Sequence, residues 1–133
     1  MPAIDRSVCF VYTCPAIDRS ITDDCRYNPY DPCPTLGGNN CCGSPTVAGP
    51  KDQRPLEERS DVLSYTSAPL DDPLAIAGPV TMRLVVSSTA ATMDWMVKLI
   101  DVYPAGEAYN IAEGIIKIHT DRPNGAIATT GSW

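Results

Sequence analysis

Two stretches of strict alternation constrain this chain more tightly than any other feature. In "TMRLVVSS", residues 81–88, Met82, Leu84 and Val86 fall on one face and Arg83 and Val85 on the other. In "DWMVKLIDVYP", residues 94–104, Trp95, Val97 and Leu99 stand opposite Asp94, Met96 and Lys98. A period of two marks a half-buried strand, because successive side chains leave a pleated backbone on opposite sides. "PAGEA" follows, and its Pro104 and Gly106 supply the fixed and the permissive backbone of a turn. "AYNIAEGIIKIHT" then returns as a strand, which predicts a hairpin of Trp95–Tyr103 with Ala108–His119. Thirteen prolines and nine glycines are spread along the 133 residues, so long helices are excluded and short strands between turns are favoured. Only "PLEERSDVL" has the grammar of a helical turn. The expected class is all-β, an antiparallel β-sandwich.

All six cysteines, Cys9, Cys14, Cys25, Cys33, Cys41 and Cys42, lie in the first third of the chain. A metal site favours paired C-x-x-C spacing or nearby histidines. The intervals here are five, eleven, eight, eight and one, and the single histidine is the distant His119. The cysteines therefore read as a disulfide framework, with Cys41 and Cys42 bonded to different partners and the connectivity left open. Disulfides imply an oxidising compartment, so the expected location is extracellular or at the cell surface. The bridges would staple residues 1–48, an irregular N-terminal arm without a core of its own. Residues 49–133 would form the β-domain and a short C-terminal tail. "PAIDRS" occurs twice in the arm, at Pro2–Ser7 and Pro15–Ser20. Two copies do not make a repeat array, and they read as a local duplication or as paired docking segments.

Hydrophobic content of 44% with 20% charged residues describes a globular chain with room for one core. The net charge of −6 gives no electrostatic footprint for nucleic acid or anionic lipid. No apolar run approaches the roughly 18 residues of a membrane span. "VCFVY" is too short for the apolar region of a signal peptide and has Asp5 and Asp24 around it, so an exported protein would be a processed form or a fragment.

The longer motifs point to a family. "DQRPLEERSDVLSYTSAPLDDPLAIAGPVTMRL", followed by "DWMVKLIDVYPAGEAYNIAEGIIK", resembles the C-terminal jelly-roll domain of the cocaine esterase, X-Pro dipeptidyl-peptidase and α-amino-acid ester hydrolase family. "YNPYDPCPTLGG" is similar to the segment that enters the same domain. The resemblance covers about residues 27 to 117 and implies a partial, jelly-roll-like sandwich. It carries over no catalytic residue, because the family's nucleophile, acid and histidine belong to an α/β-hydrolase domain ahead of the jelly roll. No G-x-S-x-G elbow is present here. Two departures matter. The family's domain continues past the "EGIIK" strand with further strands that complete both sheets, and Cys33 stands where an aliphatic residue is usual.

Other candidate sites are thin. His119 has Asp121 two positions later and Ser87, Ser88 or Ser132 as nominal nucleophiles, yet nothing in the sequence brings them together as a triad requires. Asp71-Asp72 and Asp23-Asp24 are weak calcium candidates without the spacing of a calcium loop, and no cofactor is expected. Trp95 belongs to the apolar face. Tyr12, Tyr27, Tyr30 and Trp133 lie outside that pattern and could stack on a sugar, which makes a lectin-like module one alternative. An incomplete sandwich leaves an open sheet edge, and two β-prone segments could cover it. These are Val8–Thr13, with Val8, Phe10 and Tyr12, and the tail segment Ala126–Thr130, with Ile127 and the terminal Trp133 as candidates. Donated to a neighbouring copy, they would build an oligomer or filament. The primary expectation is thus a non-catalytic subunit that assembles with itself; the alternative is a detached accessory domain of a secreted serine hydrolase. Neither reading allows catalysis by this chain alone. With an activated acyl ester, the rate is expected to equal that of buffer; turnover that disappears in a His119→Ala variant would contradict this.

Overall fold

The computed structural model describes residues 7–10, 23–39, 47–119 and 127–132, with the backbone alone for 7–10, 83 and 127–132. In chain order the elements are β1 (Ser7–Phe10), α1 (Arg54–Glu57), β2 (Tyr65–Thr66), β3 (Thr81–Val86), β4 (Thr92–Val102), β5 (Ala108–His119) and β6 (Ile127–Ser132). The helical turn found among the described residues overlaps the start of the segment expected to supply it, beginning one residue earlier at Arg54. Pro55 stands in its first turn, where its missing N–H costs nothing, and Leu56 is its buried residue.

The central piece is the β4–β5 hairpin. Tyr103 N–H donates to Glu107 O and Gly106 N–H to Tyr103 O, both at 2.8 Å. Gly106 takes φ +96°, a backbone region that a side chain disfavours. The strands pair antiparallel from Val102↔Ala108 to Thr92↔His119, with one irregularity. Leu99 lies opposite Ala112 but Ile100 lies opposite Asn110, so Ile111 is an extra residue, a β-bulge. Beyond the bulge the alternation of β5 is reversed relative to β4. By register, Asn110 and Glu113, three apart in sequence, both share the face of Ile100 and Lys98.

Two antiparallel sheets result, one ordered β2-β1-β4-β5 and the other β3-β6. They meet through Met82, Leu84 and Val86 of β3 and Val97 of β4, with Trp95 and Ile118 packed alongside. This is the apolar face that the alternation marks out, and Val85 is exposed on the opposite side of β3. The other face of β4–β5 carries a second cluster of Ile100, Ala108 and Val102.

Both segments expected to reach a neighbouring copy are paired within their own chain. Val8 and Phe10 lie in β1, opposite Asp101 and Leu99 of β4. Ile127 lies in β6, opposite Val86 of β3. Tyr12 and Trp133 fall outside the described residues, as do both copies of "PAIDRS" apart from Ser7. Antiparallel pairing at home satisfies the same backbone groups that a neighbour would have satisfied, so these strands do not require another subunit.

Candidate functional site

The bulge prepares a buried polar cluster. Gln53, just ahead of α1, is 1% exposed, and Lys98 and Asn110 are 8% and 5% exposed. Lys98 Nζ donates to Gln53 Oε1 at 2.7 Å. Gln53 Nε2 faces three acceptors: Leu36 O at 3.0 Å, Lys51 O at 2.9 Å and Asn110 Oδ1 at 3.1 Å. Asn110 Oδ1 also accepts from Lys51 N–H at 2.7 Å. One amide therefore ties Leu36, the 51–53 segment, β4 and β5 together. Buried polar atoms cost little when they are satisfied in this way.

Glu113 closes the cluster on its other side. Its Oε1 accepts Asn39 N–H at 3.0 Å, and its Oε2 lies 4.0 Å from Lys98 Nζ. Gly38, at φ +88°, passes so close that an added Cβ would sit 2.0 Å from Glu113 Oε1. Gly38 and Gly49 also exchange two backbone hydrogen bonds at 2.9 Å. The glycines of "PTLGG" thus let a strap, Leu36–Asn39, lie flat over a buried carboxylate.

Charge in this region is spent on holding segments. Burial lowers the proton affinity of Lys98, and the Glu113 carboxylate opposes that effect. Arg59 donates to Asp61 Oδ1 and Oδ2 at 2.7 and 2.9 Å and to Asp31 O at 2.7 Å, clamping the 28–31 turn to the residues after α1. Those bonds hold the Asp61 carboxyl below its ordinary range. Tyr65 Oη donates to Asp23 Oδ2 at 2.6 Å; burial first, and that carboxylate second, push the phenol up to about 12. Two buried carboxylate oxygens, Glu113 Oε2 and Glu57 Oε1, have no hydrogen-bond partner. At Glu57, burial, then the Asp52 charge, raises the pKa.

No catalytic constellation forms among the described residues. His119 ends β5, exposed, with Nδ1 3.1 Å from Thr92 Oγ1 across the hairpin. Ser87 and Ser88 border a dent of about 10 Å³ beside Trp95, room for about one water. Asp121 and the Ser132 side chain lie outside the described residues. Asp71 and Asp72 are exposed, and no cluster of metal-ligating side chains occurs among the described residues. Cys25 and Cys33 are free thiols, so the disulfide expectation has no support at those two positions. Partial burial of the sulfurs and then the Asp61 carboxylate raise both, which keeps them protonated and weakly nucleophilic at neutral pH. Cys14, Cys41, Cys42 and the Cys9 side chain are outside the described residues.

A family model described as the X-Pro dipeptidyl-peptidase C-terminal non-catalytic domain matches residues 18–125. The chain belongs to this domain family. Over 96 residues, 72% of its length, it is 43% identical to the cocaine esterase of a Rhodococcus species, of which it spans 17%. Putative serine esterases of Mycobacterium bovis and Mycobacterium tuberculosis are 43% identical over 56 residues, 42% of this chain and 9% of each relative. No solved structure gives a significant match. The family agrees with the resemblance carried by "DQRPLEERSDVL" and "DWMVKLIDVYPAGEA", and its non-catalytic character agrees with the missing nucleophile elbow.

Within this family's domain, the buried cluster is what alternation alone misses. Alternation puts Lys98 on the face of Asp94 and Met96, and the structure buries it. Strict alternation would set Asn110 and Glu113, three apart, on opposite faces, and the bulge unites them. The visible signal is modest, because Lys98, Asn110 and Glu113 stand among other polar residues of the same strands, such as Asp94, Asp101 and Lys117.

Glu57 supplies a pH test. A carboxyl whose folded pKa exceeds its unfolded one binds protons more tightly when folded, so its stabilising contribution is present below the unfolded pKa, near 4.3, and is lost as pH rises. A Glu57→Gln variant should therefore melt higher than the parent at pH 7, with the difference shrinking toward pH 4. Thermal unfolding followed by circular dichroism reads this directly. An equal or lower melting temperature at pH 7 would contradict the assignment.

Proposed function

We propose that this chain serves as the accessory β-domain of a serine esterase, packed beside an α/β-hydrolase domain that carries the catalytic residues. Its work is to brace that domain and to form part of the wall of its substrate cleft. The observation that carries this reading is the match of residues 18–125 to a C-terminal non-catalytic domain, joined to 43% identity with a cocaine esterase over most of the chain. The two sheets, packed through Met82, Leu84, Val86 and Val97, fit the two-layer arrangement of a jelly-roll sandwich. Gln53, Asn110 and Lys98 of the buried cluster bond one another, as befits a brace rather than a reaction centre. The reading of a self-assembling subunit loses its motive, because β1 and β6 pair at home.

A chimera tests the proposal. The 96 matched residues of the Rhodococcus cocaine esterase are exchanged for those of this chain, leaving the rest of the enzyme intact. The exchange is expected to preserve a folded esterase whose melting temperature exceeds that of the enzyme with the segment deleted. A chimera no more stable and no more active than the deletion would defeat the reading.

A further inference from the structure

The four-stranded sheet is filled in an unusual way. β2 and β4 lie within the residues matched by the family's domain, 18–125, whereas β1, the strand between them, lies wholly outside. β1 is also short. It pairs with β4 over four positions, Ser7↔Val102 to Phe10↔Leu99, and with β2 over two, Cys9↔Thr66 and Phe10↔Tyr65. β4 itself runs for 11 residues and pairs with β5 along its whole length. A strand paired over so few positions is held by few hydrogen bonds, so it opens more readily than the hairpin beside it. The slot it fills is apolar on its β4 side at two buried positions, while Asp101 of β4 and Tyr65 and Thr66 of β2 also line it. Leu99 and Ile100, opposite Phe10 and Cys9, are 5% and 1% exposed. An opened slot would present two rows of unpaired backbone groups beside these side chains, the combination that recruits another strand.

We propose that the slot between β2 and β4 is a strand-acceptor site, which binds an extended peptide antiparallel to both strands with apolar residues opposite Leu99 and Ile100. In the isolated chain β1 is the occupant supplied in cis. Because β1 runs antiparallel to each neighbour, β2 and β4 run parallel to one another. An inserted strand in the orientation of β1 forms antiparallel ladders on both sides, whereas the reverse orientation would have to pair parallel to both, with slanted and slightly weaker bonds, so the site favours one direction. Its ligand class is a peptide segment of another polypeptide with the pattern of Ser7–Phe10. The proposal does not depend on the esterase reading.

The probe is a synthetic, fluorescein-labelled peptide of residues 4–13 with Cys9→Ala, which excludes disulfide exchange. Added to the intact chain, it should give a saturable rise in anisotropy that unlabelled peptide reverses. Binding should tighten in a chain lacking residues 1–10, because the competitor in cis is gone. A peptide with Val8→Pro and Phe10→Pro should bind about tenfold more weakly or worse, since each proline removes a ladder hydrogen bond. Hydrogen exchange should show new protection at Tyr65–Thr66 and Leu99–Val102. If the shortened chain does not fold alone, refolding it with the peptide should restore the β-sheet signal. Binding by neither form, with no rescue on refolding, or protection elsewhere than β2 and β4, would overturn the proposal.

Discussion

The side-chain amide of Gln53 is the contact on which the inner half of this domain depends. It receives the ammonium of Lys98 and faces the carbonyls of Leu36 and Lys51 and the amide oxygen of Asn110. Segments far apart in sequence thus converge on one buried group. The backbone supports the same junction, since Gln53 N–H donates to Ala108 O at 2.7 Å and Asp52 bridges to Tyr109. The start of β5 is thereby covered by the 51–53 segment, and the strap above it is fixed by Glu113. A buried lysine is tolerable only while such an acceptor is present, because an unpaired buried charge is among the costliest defects in a fold.

That junction exists because of one irregular position. The bulge at Ile111 changes which residues of β5 share a face, bringing Asn110 and Glu113 to the same side as Lys98. Without it, strict alternation would place one of them among the apolar side chains that pack against β3. The outer half of the hairpin, beyond the cluster, is ordinary by contrast. There Asp94 and Lys117 pair at 3.3 Å on the surface, beside the exposed Met96 and Ile115, and contribute little to stability.

Much of this architecture was legible in the sequence. The period of two in Thr81–Val86 and Thr92–Val102, the turn at Pro104–Gly106 and the returning strand follow from side-chain alternation and turn chemistry, and the structure places them accordingly. The family was legible too, because its motifs are long and collinear. Three things were not. The bulge has no compositional marker, so neither the face of Asn110 nor the burial of Lys98 follows from alternation. The fate of β1 and β6 depended on long-range pairing, which local pattern cannot reveal; the same apolar segments suit a neighbour's sheet or their own. The cysteine count suggested oxidation, but a disulfide depends on distance in space, and Cys25 and Cys33 are free.

The anchoring role of Gln53 is most directly tested by a Gln53→Leu variant examined by equilibrium unfolding and native-state hydrogen exchange. Leucine keeps an apolar volume in place and leaves Lys98 buried without its acceptor, a loss expected to be about 3 kcal/mol. Exchange should quicken first at Gly38 and Asn39, while the central amides of the β4–β5 hairpin keep their protection. A loss below about 0.5 kcal/mol, the scatter of an ordinary surface change, with unchanged protection of the strap, would contradict the view that this amide holds the inner half of the domain together.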